Sequence, residues 1–317
     1  MNFVFGPVPS RRLGKSLGID PVPLKTCNWN CVYCQLGRSK PLTNERKVFF
    51  PVKEILDRVE ETIKTHNPGS IGWITFVGSG ETTLCADLGL LIRGVKELTK
   101  IPLAVITNGS LLYLPEVRRE LSEADAVLPS LDAGNPLLYR KINRPHPAIT
   151  FERLLFGLKA FRSEFKGKLW LEVMLVKGLN DNEQTLRELA CHIRDIDPDE
   201  IHLLQPTRPP VEEWVQPSDP ESVLLALTIL GQKARLIDAL DGDYYLNKDQ
   251  SLVNAVVEII TRHPMKDSEL RMVLGNLPQV DVQSVIDELL DSGKAIMVSR
   301  NEINYWVSSG SKFPNKT

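Results

Sequence analysis

From residue 51 to 240 the chain alternates short β-branched apolar runs with segments of helical periodicity, and that alternation leaves few folds open. Val52, Ile55, Leu56, Val59 and Ile63 recur at the spacing of one helix face. Leu88, Leu91, Ile92, Val95 and Leu98 do so again, and Leu186, Leu189, Ala190 and Ile193 a third time. Strand candidates of four to eight residues lie at 17–22, 71–77, 103–107, 126–130, 169–176 and 201–204. Strands that alternate with helices pair in parallel through right-handed crossovers. Six such units are too few to close an eightfold barrel, so the expected fold is α/β, a partial (β/α)6 parallel barrel over residues 1–240. Chemistry in such sheets gathers just beyond the C-terminal ends of the strands.

The pattern breaks near residue 241, at Asp-Gly-Asp-Tyr-Tyr. Helical spacing resumes at 251–262, 267–274 and 281–292, followed by a hairpin of 295–299 with 303–307 across Arg300-Asn301-Glu302. Three helices and a hairpin predict a small winged-helix-like domain over 241–310, with 311–317 a loose polar tail.

Charge narrows the function. The 317 residues carry 38 basic and 40 acidic side chains, a net charge of -2, which speaks against a protein that coats polyanions through bulk positive charge. Residues 1–50 alone carry 8 basic and 2 acidic groups, which fits a solvated basic surface, an anionic substrate or an acidic electron donor. The third C-terminal helix bears Asp281, Asp287, Glu288 and Asp291 and no basic residue before Lys294. A recognition helix needs the opposite sign, so DNA is not the expected partner. No export signal is read at the N-terminus, and the most apolar later stretch, 223–230, is too short to span a membrane. A cytoplasmic location and no membrane partner are the expectation.

Three of the five cysteines, Cys27, Cys31 and Cys34, lie within eight residues on the loop after the first strand candidate. Clustered thiols in a chain read as cytosolic suit metal rather than disulfide. Three soft ligands fit an iron–sulfur cluster with one iron left open, or zinc if a fourth ligand comes from elsewhere. Cys85 and Cys191 are isolated in helical patterns and are expected to be buried apolar thiols.

The spacing Cys27-Asn-Trp-Asn-Cys31-Val-Tyr-Cys34, with Tyr33 before the last cysteine, resembles the signature of the radical S-adenosylmethionine superfamily. That resemblance implies a four-iron cluster (4Fe-4S), S-adenosyl-L-methionine as cofactor, and hydrogen abstraction from substrate by a 5′-deoxyadenosyl radical. Gly78-Ser79-Gly80-Glu81 is similar to the family's Gly-Gly-Glu motif, which implies that Gly78 and Gly80 approach the cofactor and Glu81 holds its ammonium. Asn108 in Thr107-Asn108-Gly109-Ser110, and Ser130 and Asp132 in the following strand-end turn, resemble positions that bind its ribose and carboxylate. Arg144, in Lys141-Ile-Asn-Arg144-Pro145, and Arg208, after Gln205-Pro-Thr, are candidates for substrate binding at the barrel mouth. The Phe5-Gly-Pro-Val-Pro-Ser-Arg-Arg opening and the Lys-Ile-Asn-Arg-Pro segment point to the wyosine-synthase-like branch. For the second cluster of that branch only the two distant thiols Cys85 and Cys191 remain, so its pyruvate-dependent tRNA reaction is not expected. An RNA, peptide or small-molecule substrate and a flavodoxin- or ferredoxin-type electron donor are the implied partners. The alternatives are a glycyl-radical activating enzyme and, from another class, a metal-binding winged-helix regulator.

Overall fold

The structure, a computed structural model, describes residues 3–237, 251–300 and 302–310. The expected domain boundary at 240/241 and the tail at 311–317 lie outside the described residues. β1 (Val4–Ser10) and β2 (Gly14–Ile19) form an antiparallel hairpin. β3 (Trp73–Phe76), β4 (Leu103–Thr107), β5 (Ala126–Pro129), β6 (Lys168–Met174), β7 (Glu200–Leu204) and β8 (Ala234–Leu236) then add one after another, each parallel to its predecessor. The eight-stranded sheet runs in the order β1 to β8, and among the described residues no pairing joins β8 back to β1. It is an open, partial barrel. The six strand candidates are β2 to β7; β1 and β8 are additions at the two edges.

Helices α1 (Val52–Thr65), α2 (Leu88–Leu98), α3 (Pro115–Leu121), α4 (Pro136–Ile142), α5 (Phe151–Glu164), α6 (Glu183–Ile196) and α7 (Pro220–Leu230) follow the strands. Their starts are set locally: the side chains of Asn135, Thr150 and Asn182 accept from the backbone N–H three residues on, which satisfies an orphan donor at the first turn of α4, α5 and α6. Their apolar faces pack on the outward residues of the strands, such as Ile74, Phe76, Val105, Val127, Leu169 and Leu171. Each such side chain contributes roughly 1.5–3 kcal/mol by leaving water.

The inward residues divide by height. At the bottom, Trp73, Ala104, Ala126, Leu128 and Trp170 form a dry plug, with the two tryptophans edge to face at 5.8 Å. Higher up the lining turns polar: Ser16 and Thr75 share a hydroxyl contact of 2.5 Å, and Glu172 pairs with Arg12. The plug leaves the upper half of the barrel interior as a cavity of about 610 Å³.

The C-terminal part is built from α8 (Leu252–Arg262), β9 (Met265–Lys266), α9 (Asp267–Gly275), α10 (Val282–Asp291), β10 (Ala295–Arg300) and β11 (Ile303–Ser308). Its three helices and hairpin fall where the periodicity places them, and β9 adds a third antiparallel strand beside β11. Val256, Ile260, Leu270, Leu274, Ile286, Leu289 and Trp306 make its core, and Phe5 and Val8 of β1 are packed into that same core. The two parts of the chain are therefore joined through β1, and also by Gln35 Nε2 donating to Arg262 O and Tyr305 Oη donating to Thr207 O.

Candidate functional site

The cysteine loop leaves the end of β2 and is stitched to the loop after β3, the end of α4 and the loop after β7. Lys25 N–H donates to Ser79 O at 2.7 Å, and Glu81 N–H donates to Thr26 O at 2.8 Å. A Cβ on Gly80 would sit 1.9 Å from the Thr26 carbonyl oxygen, so only glycine permits this approach. From the far side, Asn30 N–H donates to Asn143 O and Val32 N–H to Ile142 O, while Val211 N–H donates to Cys34 O. The Lys-Ile-Asn-Arg segment and Val211, just beyond Gln-Pro-Thr-Arg, thus clamp the loop that carries the thiols.

Cys27, Cys31 and Cys34 all line the cavity. Each sulfur also receives one donor from the chain. Trp29 N–H reaches Cys27 Sγ at 3.4 Å, Asn143 Nδ2 reaches Cys31 Sγ at 3.7 Å, and Lys25 Nζ reaches Cys34 Sγ at 3.2 Å. Burial, reinforced by Glu81, pushes the Cys27 thiol up to about 12, and burial pushes Cys31 well above the usual thiol range. Coordination to metal deprotonates such a thiol outright. Among the described residues no His, Cys, Asp and Glu set is gathered tightly enough for a single ion. Three spaced sulfurs, each with its own N–H donor, fit a cluster of several irons, whose sulfurs are tuned by such hydrogen bonds.

Two buried carboxylates stand behind the loop. Glu81, 2% exposed, accepts from Thr83 N–H at 2.9 Å, from the Thr83 and Thr107 hydroxyls at 2.5 Å each, and from Asn108 N–H at 2.7 Å. Burial raises its carboxyl above the usual value against the pull of those donors. Asp132 accepts from Tyr33 Oη and Asn143 Nδ2 at 2.6 Å each and from Met174 N–H at 2.8 Å. Burial raises it too, opposed by the same three donors. These bonds tie Glu81 to the ends of β3 and β4 and Asp132 to the cysteine loop, while Glu81 Oε2 and Asp132 Oδ1 each accept a single one.

Of the residues singled out in the sequence, Tyr33, Gly78, Gly80 and Arg208 line the cavity with the cysteines. Glu81, Asn108, Ser130, Asp132 and Arg144 are not part of that lining. Asn108 Nδ2 is hydrogen-bonded to Asn28 Oδ1 at 2.7 Å, and Ser130, just past β5, forms a parallel backbone bridge with Glu172 of the neighbouring β6. Arg144 Nη1 pairs with Glu212 at 2.5 Å, which also binds Arg38 at 2.8 Å. Cys85 is buried as expected, but Cys191 is exposed, because it falls on the solvent side of α6 opposite Leu186, Leu189 and Ile193.

Sequence reasoning missed the far wall, where Arg262, His263, Lys266, Arg300 and Tyr305 of the C-terminal part line the same cavity. Arg262 Nε binds Asp20 at 2.9 Å, and its guanidinium lies 4.7 Å from the Phe5 ring centre. Lys25 and Asn143 were missed as well; both lie beside motif residues, but nothing in one dimension aims them at sulfur.

A partial α/β barrel with three donor-supported thiols at its strand ends defines a cluster-dependent enzyme. The family model described as "Radical SAM superfamily" matches residues 22–190. A UPF0026 protein of Methanocaldococcus jannaschii is 33% identical over 301 residues, covering 93% of this chain and 92% of that protein. A Brachyspira hyodysenteriae protein named GTPase Obg is 46% identical over 205 residues, which cover 65% of this chain but only 30% of that protein's length. A radical SAM methyltransferase structure from Sphaerobacter thermophilus superimposes with a TM-score of 0.52 at 18% identity, over 70% of this chain and 66% of that one, a likeness of fold alone. The chain belongs to the radical S-adenosylmethionine superfamily. It is an enzyme, and its cofactors are a 4Fe-4S cluster and S-adenosyl-L-methionine. No described helix is long and apolar enough to cross a membrane.

Proposed function

We propose that the chain abstracts hydrogen from an RNA, peptide or small-molecule substrate held in the cavity above the barrel plug. When bound, the cluster supplies the electron that splits S-adenosylmethionine into methionine and the 5′-deoxyadenosyl radical. Cys27, Cys31 and Cys34 would hold the cluster, with Lys25, Trp29 and Asn143 tuning their sulfurs. Gly78 and Gly80 would let backbone meet the cofactor, and Tyr33 would flank it. Glu81, with Thr83, Thr107 and Asn108 already on its oxygens, would hold the strand ends rather than the cofactor's ammonium. Asp132 would fix Tyr33 and Asn143 in the same way.

The single observation that carries this reading is the meeting of all three thiols in one cavity whose floor is apolar and whose far wall comes from the C-terminal part. We read that part as a winged-helix-like domain, 241–310, that completes the chamber. An acidic flavodoxin- or ferredoxin-type donor suits the basic first 50 residues, and a cytoplasmic location suits the oxygen-sensitive centre. The test is anaerobic reconstitution with iron and sulfide, then reduction in the presence of S-adenosylmethionine. Release of 5′-deoxyadenosine supports the reading; stoichiometric zinc with no cofactor cleavage contradicts it.

A further inference from the structure

The cavity is lopsided in charge: seven basic side chains line it against one carboxylate, Glu269. Some of these cations are committed. Arg12 pairs with Glu172, Arg262 with Asp20, and Lys25 points at the Cys34 sulfur. Arg208 and Arg300 differ. Arg208 Nη1 meets Gln35 Oε1 at 3.4 Å and His263 Nδ1 at 3.2 Å, both neutral. Arg300 donates to the carbonyl oxygens of Arg208 and, at 2.9 Å, of Val215. These contacts fix both guanidiniums in place without neutralising either.

His263 completes the wall. A guanidinium can only donate, so Nδ1 of His263 is the acceptor and its ring proton sits on Nε2. That Nε2 is buried and has no hydrogen-bond partner among the described residues. Burial, with Arg208 and Arg262 close by, holds the imidazole well below its usual range, so it stays a neutral N–H donor. Two uncompensated charges thus line the chamber from the loop after β7 and the β10 hairpin, and His263, with its orphaned donor, lines it from the end of α8.

We propose that this wall binds the phosphoryl group of a small phosphorylated substrate, with Arg208 and Arg300 meeting its charge and His263 Nε2–H donating a further hydrogen bond. A carboxylate offers two oxygens in one plane and is filled by a single guanidinium fork. Donors from three separate segments match the oxygen count and the double charge of a phosphate. The substrate is small because the barrel plug, the cysteine loop and the C-terminal part bound the cavity, which the cofactor shares. The proposal rests on reading this cavity as the reaction chamber, but phosphate binding is measured without any turnover.

The experiment uses the full-length, cluster-loaded protein and phenylglyoxal, with modified arginines mapped by mass spectrometry. Inorganic phosphate should protect Arg208 and Arg300, and a 5′-mononucleotide should protect them at lower concentration. By calorimetry, Arg208→Gln and Arg300→Gln should each weaken phosphate binding about ten- to a hundredfold, the worth of a charge-assisted hydrogen bond. Lys159→Gln, on the outside of α5, should bind as the unsubstituted chain does. The labelling is read on the unsubstituted chain, so it stands even if a variant fails to fold. Unchanged labelling with phosphate would overturn the site. Equal protection by S-adenosylmethionine alone would assign the wall to the cofactor's carboxylate and overturn it also. Tighter binding of a single-stranded oligoribonucleotide than of the mononucleotide would overturn the small-molecule source. Lack of cofactor cleavage alongside intact phosphate protection would count against the proposed function and leave the anion site standing.

Discussion

The two sides of the cavity handle charge in opposite ways. Behind the cysteine loop, Glu81 and Asp132 are buried carboxylates whose oxygens already accept seven hydrogen bonds from the chain itself. Across the chamber, Arg208 and Arg300 keep their charge with only neutral partners. A buried polar group with every partner in place stiffens the structure around it, whereas one left short of partners stores a desolvation cost that a ligand can relieve. On the proposed reading the first side positions the thiols and the second receives a ligand.

That contrast breaks first if the thiols are dispensable. Cys27→Ala, Cys31→Ala or Cys34→Ala should each reduce cluster iron to background and stop 5′-deoxyadenosine formation, read by iron analysis and chromatography. Full iron and activity in any one of them would remove that cysteine from the centre.

Glu81→Ala is next in size. It leaves the donors of Thr83, Thr107 and Asn108 without an acceptor, at about 1–3 kcal/mol for each that water does not rescue. Chemical unfolding should show a loss well beyond that of Glu183→Ala, whose exposed pairing with Arg187 is worth under about 1 kcal/mol. Equal losses in the two variants would end the scaffolding role of Glu81.

Gly80→Ala should cost about 1–3 kcal/mol, the range for overpacking a close contact, because the Thr26 backbone cannot yield as a flexible side chain would. Thermal unfolding and iron content should fall together. A drop in neither would mean that the cysteine loop tolerates displacement.

The smallest effect lies below the chamber. His202 is buried beside Trp170, and burial pulls it below its ordinary 6.5 despite the raising effect of Glu200. The folded state therefore disfavours the imidazolium. The contribution of His202 is present above pH 6.5 and is lost as pH falls through the lower folded value. His202→Gln should flatten the fall of the unfolding midpoint below pH 6.5, and an unchanged pH profile would mean that the histidine protonates freely in the fold.

The parallel core of the sheet was legible because its strands are β-branched runs with helices between them, and the three cysteines because their spacing is local. β1 escaped because Pro7 and Pro9 interrupt it, which an edge strand tolerates and a sequence pattern penalises. β8 is three residues long, with Arg235 at its centre. Glu81 was legible as an important carboxylate but not in its partners, since Thr107 and Asn108 reach it only when β3 and β4 lie side by side. Arg300 and His263 gave no signal as chamber residues: they enter it because Phe5 and Val8 carry β1 into the C-terminal core and because Arg262 and Arg300 bind Asp20 and the Arg208 and Val215 carbonyls.

The most direct test of the central claim is electron paramagnetic resonance of the anaerobically reconstituted, reduced protein with and without S-adenosylmethionine. About four irons per chain and a cluster signal that changes when the cofactor is added are expected, because three cysteines leave one iron open to it. A signal indifferent to the cofactor, or a protein that binds zinc in place of iron, would contradict the account.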